Sequence, residues 1–142
     1  MMRLRNGEVG MVHPCRPCYY RRMTVSGSCH CGAVRIAAPS APASIGSCNC
    51  SLCTKSGWLV AFYPDDGSVT VTGTTEPYIW GDHMIRIHHC PTCGMGTHWD
   101  STGESLGKVG INARLLDGFA VDEGRFLMGG EPLDVRYIDN AG

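Results

Sequence analysis

The sequence has no apolar run long enough to cross a bilayer as a helix. The longest candidate, GWLVAF at 57–62, falls far short of the roughly 20 residues a spanning helix needs, so no membrane partner is expected. The first 22 residues, MMRLRNGEVGMVHPCRPCYYRR, are charged but lack the apolar region of a secretory signal, and the cytoplasm is the expected compartment. The formal net charge of −1 provides no pull toward nucleic acid, and none is expected as a partner. No G-x-S-x-G, P-loop or G-x-G-x-x-G is present, which removes nucleophile-elbow hydrolases, P-loop nucleotidases and dinucleotide binders. Helical periodicity is scarce, with only a short turn expected around ARLLDGF at 113–119. There is no convincing internal repeat and no low-complexity tract.

What remains has the length of one domain with its own core: 142 residues, 43% hydrophobic and 18% charged. The 19 glycines and 8 prolines fall between short apolar runs. GAVRIAAP (32–39), GWLVAFYP (57–64), SVTVTG (68–73) and MIRIHH (84–89) are rich in β-branched residues and bounded by turn formers, so they read as strands. PDDG (64–67) and STGESLG (101–107) read as turns or loops. The fold class is therefore mainly β, a single domain with metal fastening its loops. A boundary falls near Met23: residues 1–22 read as an extension, disordered or preceding the natural start, and 23–142 as the β domain.

Nine cysteines dominate the chemistry. Cytosolic thiols stay reduced and an odd number cannot all pair, so disulfides explain them poorly and zinc explains them well. They fall into four clusters: Cys15/Cys18, Cys29/Cys31, Cys48/Cys50/Cys53 and Cys90/Cys93. In CHCG and CPTCG a glycine after each pair relieves the crowded backbone, and two pairs make one tetrahedral site. Cys29, Cys31, Cys90 and Cys93 would then close a structural zinc. Cys48, Cys50 and Cys53 are left one ligand short, the ligand count of a catalytic zinc with an exchangeable position. Two alternatives stay open at this point. A histidine (His83, His88, His89 or His98) would complete the trio, or Cys15 and Cys18 would join one of the pairs in a zinc ribbon. Lys55 reads as a solvated lysine, and His30 is expected to point away from the sulfurs beside it.

The set GSCHCGAV (27–34), CNCSLCTKSG (48–57) and CPTCG (90–94) resembles the glutathione-dependent formaldehyde-activating enzyme family, which includes centromere protein V. KVGINARLLDG (108–118) is similar to the region that follows in many members. The resemblance runs from about Met23 onward, and its one departure is His89 where an aromatic often precedes the CxxC. It implies a β-tent fold, as in mammalian suppressor of sec four, and two zincs per chain: Cys29, Cys31, Cys90 and Cys93 on a structural one, Cys48, Cys50 and Cys53 on a catalytic one. The implied activity is that of a carbon–sulfur lyase of the S-(hydroxymethyl)glutathione synthase type, with glutathione or a related small thiol as partner. The competing expectation is a non-catalytic zinc module that carries a thiol or holds a protein partner.

Overall fold

The computed structural model describes residues 23–140. The expected extension at 1–22, with Cys15 and Cys18, lies outside the described residues. Each of the four runs expected as strands contains one: β2 (Arg35–Ala38), β4 (Val60–Pro64), β5 (Thr70–Thr72) and β7 (Ile85–His89). β1 (Val25–Ser28) pairs antiparallel with β2, and β2 with β5, in a small three-stranded sheet. A seven-stranded sheet carries the rest of the middle of the chain. Its order is β13 (Asp134–Ile138), β3 (Ser44–Cys48), β4, β9 (Lys108–Asn112), β8 (Gly96–Ser101), β7 and β6 (Glu76–Tyr78). β10 (Phe119–Asp122), β11 (Arg125–Met128) and β12 (Glu131–Pro132) form a third, three-stranded sheet. The turn expected at 113–119 is a 3-10 turn at Ala113–Leu115 that runs on into β10.

Side chains alternate across the large sheet, and its two faces do different work. One face, through Ile45, Ala61, Tyr63 and Ile111, packs on Val25, Ile36 and Ala38 of the small sheet to make the main core. Ile36, Ile45 and Ile111 are fully buried, each contributing roughly 1.5–3 kcal/mol of transfer free energy. The Tyr63 hydroxyl reaches the Ser40 carbonyl at 2.8 Å, which lets a tyrosine sit there. The opposite face carries a second cluster of Trp58, Val60, Ile87 and Trp99. Two glycines make room for its indoles: a Cβ at Gly110 would strike Trp99, and one at Gly96 would strike Trp58.

β13 closes the sheet in parallel with β3, pairing Tyr137 with Ser47 and Ile138 with Cys48. The other pairings in the sheets are antiparallel. This last strand therefore returns the chain to the segment where the cysteine trio begins. Among the described residues, no helix is long and apolar enough to cross a membrane.

Candidate functional site

Cys29 and Cys90 sit on two turns of the same design. Cys29 N–H donates to the Val34 carbonyl and Cys90 N–H to the Met95 carbonyl, each at 2.9 Å. Gly32 and Gly94 then donate back to the carbonyls of Cys29 and Cys90, with φ of 79° and 74°. Only glycine takes that left-handed conformation without strain. The turns bring the sulfurs of Cys29, Cys31, Cys90 and Cys93 within 4.8 Å of one another. Cys31 Sγ lies 3.6 Å from Cys29 Sγ and 3.7 Å from Cys90 Sγ. A tetrahedron of Zn–S bonds of about 2.3 Å has edges of about 3.8 Å, so these four thiols fit zinc. Backbone N–H groups also favour thiolates here: Val34 N donates to Cys29 Sγ at 3.3 Å, and those of Cys31 and Met95 pull Cys93 down to about 6. The cluster joins the β1–β2 hairpin to the β7–β8 hairpin and packs on Val34, Val71 and Met95.

Cys48, Cys50 and Cys53 form the second cluster, their sulfurs also within 4.8 Å of one another. Cys48 ends β3, Cys50 is the N-cap of a six-residue helix, α1 (Ser51–Ser56), and Cys53 lies one turn inside it. A helix this short buries no residue and cannot hold itself. It is fixed at its ends. Cys53 N–H donates to Cys50 Sγ at 3.4 Å, Gly57 closes the C-terminus at φ 73°, and Arg114 Nε donates to the Gly57 carbonyl at 2.8 Å. Cys50 N–H adds a bond to Cys48 Sγ at 3.4 Å. Burial and the neighbouring Cys50 and Cys48 thiolates push the Cys53 thiol far above its ordinary value. A cation among the three sulfurs reverses that, which is the electrostatic sense in which the trio also fits zinc.

None of the histidines weighed as a fourth ligand joins this cluster. His88 and His98 stack on the core-side face at 4.2 Å between centroids, within a network of Thr75, Thr97, Arg86 and Asp100. His89 lies 3.5 Å from Glu76, and His83 is an exposed turn residue with φ of 63°. His30 and Lys55 are exposed.

The trio opens onto a cleft of about 550 Å³ on the second face of the large sheet. Its walls are Trp58, Trp80, Trp99 and Phe62 with Ile85, Ile87 and Ile138. Asn140, Asp82 and Lys108 supply its polar side chains. Sequence reasoning missed this wall and the clamp beside it. Asn140 Nδ2 donates to Cys48 Sγ at 3.4 Å, and its backbone N–H to Asn49 Oδ1 at 2.7 Å. Asn49 Nδ2 in turn donates to the Tyr137 hydroxyl and Asp139 Oδ1. The one available signal was Asn49 itself, an amide lodged between the thiols of Cys48 and Cys50.

The model of one protein family, described as glutathione-dependent formaldehyde-activating enzyme, matches residues 24–125, well over half of the chain. No curated protein matches. The crystal structure of a Rhodobacter sphaeroides protein, a structural-genomics target, shares the fold with a TM-score of 0.59. The two are 25% identical over 78% of this chain and 99% of that one.

Proposed function

As the chain belongs to the glutathione-dependent formaldehyde-activating family, we propose that it is a zinc-dependent carbon–sulfur lyase of the S-(hydroxymethyl)glutathione synthase type. The observation that carries this reading is a three-thiol cluster, Cys48, Cys50 and Cys53, opening onto an aromatic cleft. Two zincs per chain are expected: a structural one on Cys29, Cys31, Cys90 and Cys93, and a catalytic one on the trio. The seven described cysteines are free thiols, which suits a reducing cytoplasm.

A zinc on the trio supplies a lowered thiol pKa and polarisation of a carbonyl oxygen. The residues of the chain do the rest. The buried indoles of Trp58 and Trp99 give the cleft an apolar wall beside the trio, against which the hemithioacetal forms. The Asn140 amide fixes Cys48 at the cleft edge. Lys108 offers a cation for an anionic group of the thiol. In the condensation the thiol sulfur bonds to the formaldehyde carbon, the carbonyl π pair moves to oxygen, and that oxygen gains the proton the thiol gave up. Nothing is oxidised or reduced.

The test is formaldehyde consumption with glutathione, comparing the wild-type chain with Cys53→Ser. The reading expects the variant to fall to the spontaneous rate. Equal rates for the two, or no rate above background, would leave a zinc module that carries a thiol or a protein partner.

A further inference from the structure

Resting on the thiol-adduct reading above, we infer that the end of the cleft remote from the trio is a subsite for an amino-acid head, that of glutathione's γ-glutamyl arm. Lys108 takes its carboxylate and Asp82 its ammonium. Both side chains line the cleft, both are exposed, and neither is in an ion pair among the described residues. Asp82 Oδ1 accepts from Met84 N–H at 3.0 Å, which leaves its carboxylate with acceptor capacity to spare. Lys108 Nζ lies 5.0 Å from the centroid of the Phe62 ring.

The strand register sets these two charges at the same end. Gly46, two residues before Cys48, faces Val60 at the near end of β4, whereas Lys108 faces Pro64 at the other. On the next strands Trp99 faces Gly110 and Ile85 faces Ser101, so the start of β7 is level with Lys108. Asp82 comes just before that start, in the turn that His83 N–H closes on the Trp80 carbonyl at 3.2 Å.

Span and charge together choose the arm. Cys48 is two residues from Gly46 along β3, and Phe62, beside the Lys108 ammonium, is two residues from Val60 in the opposite direction along β4. Four residues at about 3.3 Å each make about 13 Å. From sulfur to carboxylate carbon the extended γ-glutamyl arm measures roughly 10 Å, and a charge-assisted contact adds about 2.8 Å. The glycyl arm, roughly 7 Å by the same bond lengths, stops short. Only the γ-glutamyl end carries an ammonium beside its carboxylate, which is what one lysine and one aspartate complement. Glutathione with its sulfur at the trio therefore lies along Trp58, Trp99 and Phe62 with that head between Lys108 and Asp82.

All three tryptophans line the cleft, so tryptophan fluorescence of the zinc-loaded full chain reads binding without formaldehyde. The probes are glutathione; glutaryl-cysteinylglycine, which lacks only the head ammonium; N-acetylcysteinylglycine, which lacks the head; and γ-glutamyl-2-aminobutyryl-glycine, which lacks the sulfur. Lys108→Met should weaken glutathione and the glutaryl peptide about fivefold, or about 1 kcal/mol, as loss of one exposed charge pair predicts. Lys108→Arg should stay within about twofold of the wild type. Asp82→Asn, which keeps the Oδ1 acceptor, should weaken glutathione about fivefold and the glutaryl peptide less than about twofold. N-acetylcysteinylglycine should respond to neither by more than about twofold. If Lys108→Met weakens N-acetylcysteinylglycine as much as glutathione, the ammonium reads the glycyl carboxylate, which overturns this inference alone. Glutathione binding that neither substitution weakens does the same. If the sulfur-free peptide binds the wild type as tightly as glutathione, the trio does not engage sulfur, and the parent reading falls with this one.

Discussion

The side-chain amide of Asn140 donates to Cys48 Sγ across 3.4 Å, tying the strand that closes the large sheet to the first cysteine of the trio. The amide also has its backbone held by Asn49, which lies between Cys48 and Cys50. A partner that orients a metal-ligating sulfur commonly controls affinity as much as the ligand's neighbours in sequence do.

Asn140→Leu, which keeps the bulk and removes the donor, should lower zinc affinity at the trio by about tenfold. The four-cysteine cluster should be unaffected. Competition with a chromogenic chelator, read as two release phases, distinguishes the sites. An unchanged weaker phase would show that the Asn140 bond orients nothing.

The two cysteine clusters should differ in what they do for folding. Cys90 is fully buried between two hairpins, and a structural zinc contributes on the order of 10 kcal/mol, comparable to the whole stability of a domain. Cys90→Ser should abolish cooperative melting. Cys53→Ser touches a helix that buries no residue, and should shift Tm by only about 2–4 °C, the equivalent of roughly 1 kcal/mol, while losing one zinc per chain. Calorimetry with elemental analysis of both variants reads this directly, and equal thermal losses would contradict the division of labour.

Acid should destabilise the fold through His98. Burial first, and His88 stacked upon it second, hold its pKa down to about 4, against about 6.5 for an unfolded histidine. The unfolded chain binds the proton between those values, so the stability is complete above about pH 6.5 and is lost as the pH falls toward 4, on the order of 2 kcal/mol. His88, Asp100, Arg86 and Thr97 face this ring; burial opposes the Asp100 charge, but Arg86 and His88 prevail and keep it ionised. Urea midpoints at pH 7.5 and pH 5 for the wild type and His98→Gln should show the smaller loss in the variant. Parallel losses would mean that His98 carries none of the pH dependence.

Gly110→Ala places a Cβ against the Trp99 indole, where neither the strand nor the buried ring can give way easily. Overpacking of this kind costs about 1–3 kcal/mol. It should appear in chemical denaturation and as a shifted tryptophan emission maximum. Gly103→Ala, where a Cβ meets open space, is the control and should be close to neutral.

The strands of the first half of the domain were legible because β-branched runs there alternate between turn formers, as in β2, β5 and β7. So was the grouping of Cys29/Cys31 with Cys90/Cys93, since paired thiols with a following glycine have few other uses. The helix at Ser51–Ser56 was not, because nothing apolar recurs in it; sulfur and glycine caps hold it where core contacts would in a longer helix. Asn140 and Lys108 were equally hidden. Their roles depend on β13 lying beside β3 and β9 beside β4, pairings between segments far apart in sequence that no local pattern encodes.

The parallel pairing of β13 with β3 also has a consequence for the order in which the protein is made. Cys29, Cys31, Cys90 and Cys93 have all left the ribosome well before Asp134–Ile138 are synthesised, so the four-thiol turns can close on metal early. The trio is translated in full by Cys53, yet Asn140, 92 residues beyond Cys48, reaches it only after its own strand has emerged. Between those moments Cys48, Cys50 and Cys53 stand without their clamp, and it is in that interval that a nascent chain is most open to the wrong metal or to oxidation.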